Sequence, residues 1–167
     1  MTILVSDTSV LIDLERGQFL SACFQLPHTF AVPDLLYRRE LADYGGPELV
    51  TRGLRVEELT SDEVARAQAT RGARPKLSLP DAFAYALAAE RQWSLLSGDG
   101  ELRALAQAEN MPLFGVLWLA DQLFDTRTLD ANLMVSGLEI IAAHPRCRLP
   151  SAEIELRLTR YRAGHPT

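Results

Sequence analysis

Along the first two thirds of the chain, short apolar runs alternate with stretches of helical spacing. Thr2-Ile-Leu-Val-Ser6 is rich in apolar and β-branched side chains and precedes the polar turn Asp7-Thr8-Ser9. Val10, Leu11 and Leu14 then share one helix face, which predicts strand, turn and helix in that order. Gly17 ends the helix. Thr29-Phe-Ala-Val32 predicts a second strand, and Pro33 and Asp34 suit the first turn of a helix carrying Leu35, Leu36, Tyr37, Glu40 and Leu41, closed by Gly45-Gly46-Pro47. Residues 54–59 alternate as a half-exposed strand near a sheet edge, and Thr60 or Ser61 caps a helix through Val64, Ala65 and Ala67.

Gly72, Arg74, Pro75 and Lys76 predict a loop, after which Ser78-Leu-Pro-Asp81 opens an alanine-rich helix over 82–91 with Phe83, Leu87 and Ala88 turned inward. Trp93-Ser-Leu-Leu-Ser97 predicts a fourth strand ended by Gly98-Asp99-Gly100, residues 102–109 a helix, and residues 113–116 a fifth strand. This alternation is the mark of an α/β fold with a central parallel sheet of about five strands between two helical layers. It stops near Leu117, and helices are expected over 117–124, 130–143 and 151–161. The division expected is therefore a domain over residues 1–117 and a helical C-terminal extension over 118–167 packed on it. Trp93 and Trp118 are expected in the core.

Composition narrows the class. With 167 residues, 47% of them apolar and 23% charged, the chain can bury a real core. No apolar run approaches the ~20 residues of a membrane helix, and Asp7 and Asp13 interrupt any signal-like segment, so a cytoplasmic protein is expected. Cys23 and Cys147 are far apart without a CxxC pattern and read as free thiols. The net charge of -5 excludes nucleic-acid binding by bulk charge, so any such site must be local. Lys76 is the single lysine among 17 bases, an imbalance that carries no functional weight.

Candidate chemistry comes from topology. In βα units, strand C-termini and helix N-termini share one sheet edge, where open α/β folds bind ligands. Asp7 follows the first strand, Asp99 the fourth, and Asp81 opens a helix on the same edge. Glu40 lies about two turns inside its helix, some ~10 Å along the axis, but helical side chains lean toward the N-terminus and Glu is the longer acid. Each acid alone has a simpler reading: Asp7 as an N-cap, Asp81 as part of a capping box, Asp99 as a turn former, Glu40 as a solvated face beside Arg38 and Arg39. All four would have to coincide at one edge.

Two carboxylates ~5 Å apart repel by about 3 kcal/mol at an effective dielectric near ~20. Such a cluster either holds a proton or is relieved by a divalent cation. His28, His144 and His165 show no ligand spacing, and oxygen-only ligation favours Mg2+ or Mn2+ over zinc. A hard cation on carboxylates suits phosphodiester hydrolysis.

Four ordered segments, Val5-Ser-Asp7-Thr-Ser9-Val-Leu-Ile-Asp13-Leu, Val32-Pro-Asp-Leu-Leu-Tyr-Arg-Arg-Glu40-Leu, Leu77-Ser-Leu-Pro-Asp81-Ala and Leu95-Leu-Ser97-Gly-Asp99-Gly-Glu-Leu, resemble the acidic motifs of the PIN-domain nucleases. The resemblance spans roughly residues 1–117. It implies a three-layer α/β/α PIN-like fold and, as in VapC-type toxins, cleavage of single-stranded RNA with Mg2+ or Mn2+ by acids matching Asp7, Glu40, Asp81 and Asp99. Ser9 and Ser97 match hydroxyl positions beside the metal site in that family. Asp7 and Asp99 are expected to hold the metal, with Glu40 and Asp81 orienting its waters or a transient second ion. The resemblance further implies a small antitoxin partner and a homodimer.

RNA would approach along Arg71, Arg74 and Lys76, a placement inferred from position, with surface ion pairing an equal alternative. Glu101 is an additional acid with an exposed helix-start reading. Arg146, Arg148, Arg157, Arg160 and Arg162 make the C-terminal end locally basic, suited to RNA, to a partner or simply to a solvated surface. Two other readings stand beside the nuclease. One is a catalytically silent binding module on the same fold. The other is a different acidic-site phosphohydrolase, against which Ser9 counts by breaking the DxD pair.

Overall fold

β1 (Thr2–Ser6) is buried on both faces, with Leu4 packed in one apolar cluster and its neighbour Val5 in another. That alternation is what a central parallel strand requires when helices cover both sides of its sheet. The computed structural model describes residues 2–166. β1 pairs in parallel with β2 (His28–Pro33) and β4 (Ser94–Leu96), and β3 (Arg55–Glu57) and β5 (Leu113–Phe114) form the edges, giving the order β3-β2-β1-β4-β5. The fold is the expected α/β sandwich with helices at its C-terminal end.

Helices α1 (Thr8–Arg16) and α2 (Leu20–Cys23) follow β1. After β2 comes a single α-turn, α3 (Asp34–Leu36), which widens into a π-helical turn over Tyr37–Leu41. Gly45 is left-handed at φ 88, as expected of a stop, but Gly46 and Pro47 then open α4 (Gly46–Arg52), a helix the Gly-Gly-Pro signal does not predict. A Cβ on Gly46 would stand 2.6 Å from the Leu41 carbonyl oxygen, so only glycine lets this turn close. α5 (Ser61–Ala73) is held by a reciprocal capping box between Thr60 and Glu63 and runs through Gly72, so Arg71 is helical. α6 (Leu79–Arg91) and α7 (Gly100–Ala108) complete the alternating part.

The C-terminal helices α8 (Val116–Asp125), α9 (Ala131–Ala143) and α10 (Ser151–Ala163) pack on the Leu4 face. Leu119, Leu123, Met134, Leu138, Ile141, Leu158 and Tyr161 are buried in one cluster with Leu4, Phe30 and Leu96, so these helices share the core of the sheet. Full burial of each such side chain contributes about 1.5–3 kcal/mol. Residues 1 and 167 of the two spans expected from the sequence lie outside the described residues. α9 meets the end of α1 nearly backbone to backbone: a Cβ on Gly137 would lie 2.3 Å from Phe19 and 2.5 Å from the Gly17 carbonyl oxygen. Arg157 pairs with Asp121 and Glu153, Arg160 with Asp121 and Asp125, and Arg162 with Glu139.

Both tryptophans are half-buried instead of central. Trp93 has the guanidiniums of Arg55 and Arg91 over its ring, and Trp118 stacks on Phe114. Cys23 and Cys147 are free thiols, and burial pushes the Cys23 thiol up to about 12. Among the described residues, no helix is long and apolar enough to cross a membrane.

Candidate active site

The ladders of the sheet run directly into the candidate residues. The Asp7 amide donates to the Leu96 carbonyl at 3.0 Å and the Ser97 amide to that of Phe114 at 3.0 Å, so the chain is held firmly where β1 and β4 end. Asp7 then caps α1, its Oδ1 accepting from the Val10 amide at 2.9 Å and from the Ser9 hydroxyl at 2.9 Å. Its Oδ2 accepts from the Ser97 hydroxyl. Asp99 caps α7 through the Leu102 amide at 2.9 Å, and its own amide donates to Ser97 Oγ at 3.0 Å. Ser97 thus ties the two acids together, and Ser9 and Ser97 both orient Asp7.

Asp81 sits in the first turn of α6, its amide donating to Ser78 Oγ at 3.2 Å. Glu40 lies on the π-helical turn, where the wider winding changes the direction of its side chain. Thr8, the first residue of α1, donates its hydroxyl to Glu40 Oε2. Asp7 is therefore the N-cap it reads as, and Asp99, which reads as a turn former, caps α7; both roles coexist with convergence. One cleft of about 390 Å³ is lined by Asp7, Glu40, Asp81 and Asp99.

Electrostatics register that convergence. Burial raises the Asp7 carboxyl above its usual range, opposed by hydrogen bonds from Ser97, Val10 and Ser9. The Asp81 carboxyl is raised to about 6, first by burial and then by the charges of Asp7, Asp99 and Glu40, against the Ser78 hydrogen bond. Asp81 therefore lies in the combined field of the other three acids.

Among the described residues, no three His, Cys, Asp or Glu side chains close up into a ready-made metal cage. The acids instead ring an open cleft. That suits a cation such as Mg2+, which usually keeps several waters and takes only one or two carboxylates from the protein. All donors lining the cleft are oxygen ligands or cationic arginines, with no thiol and no imidazole, and such a donor set fits a hard divalent ion.

Several lining residues were not singled out from the sequence as site residues. Ile12, Asp13 and Arg16 share with the expected Ser9 the spacing of one face of α1, a pattern that could have revealed them. Asp13 pairs with Arg16 at 3.3 Å, and its carboxyl is raised by burial. Arg146 and Arg148, which the sequence marks only as part of a basic C-terminal end, and Leu149 reach the same cleft from the segment between α9 and α10, a placement with no local signal. Arg71, Arg74 and Lys76 do not line it, and Arg74 lies 3.8 Å from Glu101.

The chain is similar to known proteins at the level of the family. A solved structure described as "Toxin-antitoxin complex from Klebsiella pneumoniae" matches with a TM-score of 0.43 and 23% identity over 57% of this chain and 86% of that one. A comparison with curated proteins gives no match. A family model described as "PIN domain" matches residues 3–161, which include the C-terminal helices as well as the alternating part. The chain belongs to the PIN-domain family.

Proposed function

We propose that this protein is a divalent-metal-dependent endoribonuclease that cleaves single-stranded RNA and acts as the toxin of a toxin–antitoxin pair. The observation that carries the reading is the gathering of Asp7, Glu40, Asp81 and Asp99, from four separate segments, around one cleft at the C-terminal edge of the sheet. The ordered motif resemblance supports RNA as substrate, and with it a small antitoxin and a homodimer. Light scattering that finds only an 18.5 kDa species at working concentration removes the homodimer from this reading.

In this reading Asp7 and Asp99 would hold the ion, and Glu40 and Asp81 would orient its waters. A divalent ion held there would supply charge stabilisation for a phosphoryl oxygen and for an attacking water. Ser9 and Ser97 keep the Asp7 carboxylate turned into the cleft, and Thr8 restrains Glu40. Asp81, raised by burial and by the charges of Asp7, Asp99 and Glu40 when no ion is bound, is the acid whose charge a cation in the cleft would relieve most.

The exposed arginines Arg146 and Arg148 at the cleft favour a second reading, a catalytically silent RNA- or protein-binding module on the same fold. Cleavage of a fluorescent single-stranded RNA with Mg2+ or Mn2+, set against Asp99→Asn and an EDTA control, separates the two. Metal-dependent cleavage that disappears in the variant supports the nuclease. Equal cleavage by the variant identifies a contaminant, and no cleavage at any metal concentration selects the binding module.

A further inference from the structure

The cleft has a second, basic wall. Arg146 and Arg148 line it together with the acids, exposed and without an ion pair among the described residues. This sets them apart from Arg157, Arg160 and Arg162, which are paired within the C-terminal helices, and from Arg16, which is paired with Asp13. Their position follows from how the strap between α9 and α10 is anchored. Gly137 lets α9 approach Gly17 and Phe19 at the end of α1, which brings the helix end beside the cleft. There the Cys147 amide donates to the His144 carbonyl at 2.9 Å and the Arg146 amide to His144 Nδ1 at 3.1 Å. Cys147 and Leu149 pack against the core, while Arg146 and Arg148, alternating with them, are exposed. Pro145 and Pro150 stiffen the strap on either side.

We infer that this strap is a phosphate clamp: Arg146 and Arg148 bind the backbone of single-stranded RNA and seat the scissile phosphate against the carboxylate wall. This rests on the ribonuclease reading. A phosphodiester strand answers both walls, because its anionic oxygens meet the guanidiniums on one side and a carboxylate-held cation on the other. An acidic peptide answers only the basic wall and is repelled by four carboxylates.

The test compares wild type with Arg146→Gln/Arg148→Gln in Mn2+-supported cleavage of a short fluorescent single-stranded RNA across a salt series. The Mn2+-induced shift in melting temperature is followed in parallel. The clamp predicts an increase in KM of about tenfold and a salt slope of log kcat/KM shallower by about 1.4, because two phosphates are no longer neutralised and each accounts for ~0.7 of the slope. The Mn2+ shift stays unchanged, and Arg146→Lys/Arg148→Lys restores most of the slope. An active wild type with the same KM and slope as the Gln variant overturns the clamp alone. A wild type that shows the Mn2+ shift but never cleaves or binds RNA overturns both the clamp and the ribonuclease reading. Arginine-dependent binding of polyglutamate without binding of RNA overturns the clamp in favour of an acidic protein partner.

Discussion

The Ser97 hydroxyl donates to the carboxylate of Asp7 across 90 positions of sequence and accepts the amide of Asp99 on its other side. One oxygen therefore sets the spacing of the two acids that close adjacent strands. Removing it with Ser97→Ala leaves a buried carboxylate short of a donor and the Asp99 amide short of an acceptor, a loss of about 1–3 kcal/mol of stability. Mn2+ affinity, read by calorimetry, is expected to fall about tenfold, as when partners that orient metal ligands are removed. Ser9→Ala, at an exposed hydroxyl on the same carboxylate, is expected to cost less on both counts.

Asp81 gives a pH dependence of definite sign. Its folded carboxyl lies at about 6 against an ordinary 3.8, so between those values the folded state holds the extra proton. The residue's contribution to stability is therefore most favourable at low pH and declines as pH rises through about 6. Without metal, Asp81→Asn should raise the melting temperature at pH 8 by the equivalent of about 1 kcal/mol, after allowance for solvent screening, and should make no difference below pH ~3.5. Saturating Mg2+ should reverse the order at pH 8, because the wild type gains from the ion.

Arg91 and Glu63 form a structural pair with the opposite sign. Glu63 is 4% exposed, and its hydrogen bonds from Arg91 hold the carboxyl below its usual range. Arg91→Ala leaves that charge buried with only the Thr60 cap, a cost of about 2–3 kcal/mol by chemical denaturation near pH 7. This stabilisation is present above the ordinary glutamate value of 4.5 and is lost as pH falls through the lower folded value. The gap between wild type and variant should narrow in acid.

Gly137→Ala probes the seating of α9. The added methyl meets a carbonyl oxygen of the main chain, Gly17 O at 2.5 Å, which cannot move aside as a side-chain tip can. A loss of about 1–3 kcal/mol is expected, as for overpacked cores. Because the strap hangs from α9, RNA cleavage should weaken through KM more than through kcat.

The strands and the acids were legible in the sequence because both leave local marks. Each strand is a short apolar run, and Asp7, Asp81 and Asp99 follow turns or open helices whose caps can be read residue by residue. Glu40 was placed two turns inside a regular helix, whereas it sits on a π-helical turn, a winding with no local signature of its own. Gly45-Gly46-Pro47 signalled the end of one helix and concealed the start of the next, since the same residues serve both. Arg146 and Arg148 depend on a helix seating against another more than a hundred residues away, and no local pattern reports that. Trp93 reads as a core residue, yet it lies half-buried just before β4, where the guanidiniums of Arg55 and Arg91 cover its ring.

The most direct measurement is a calorimetric titration of Mn2+ into the metal-free wild type and into Asp99→Asn. A wild type that takes up Mn2+ saturably, with Asp99→Asn binding at least tenfold more weakly at an unchanged fold, is the result expected if the acidic edge exists to hold a divalent ion. Identical titration curves for the two proteins would contradict it.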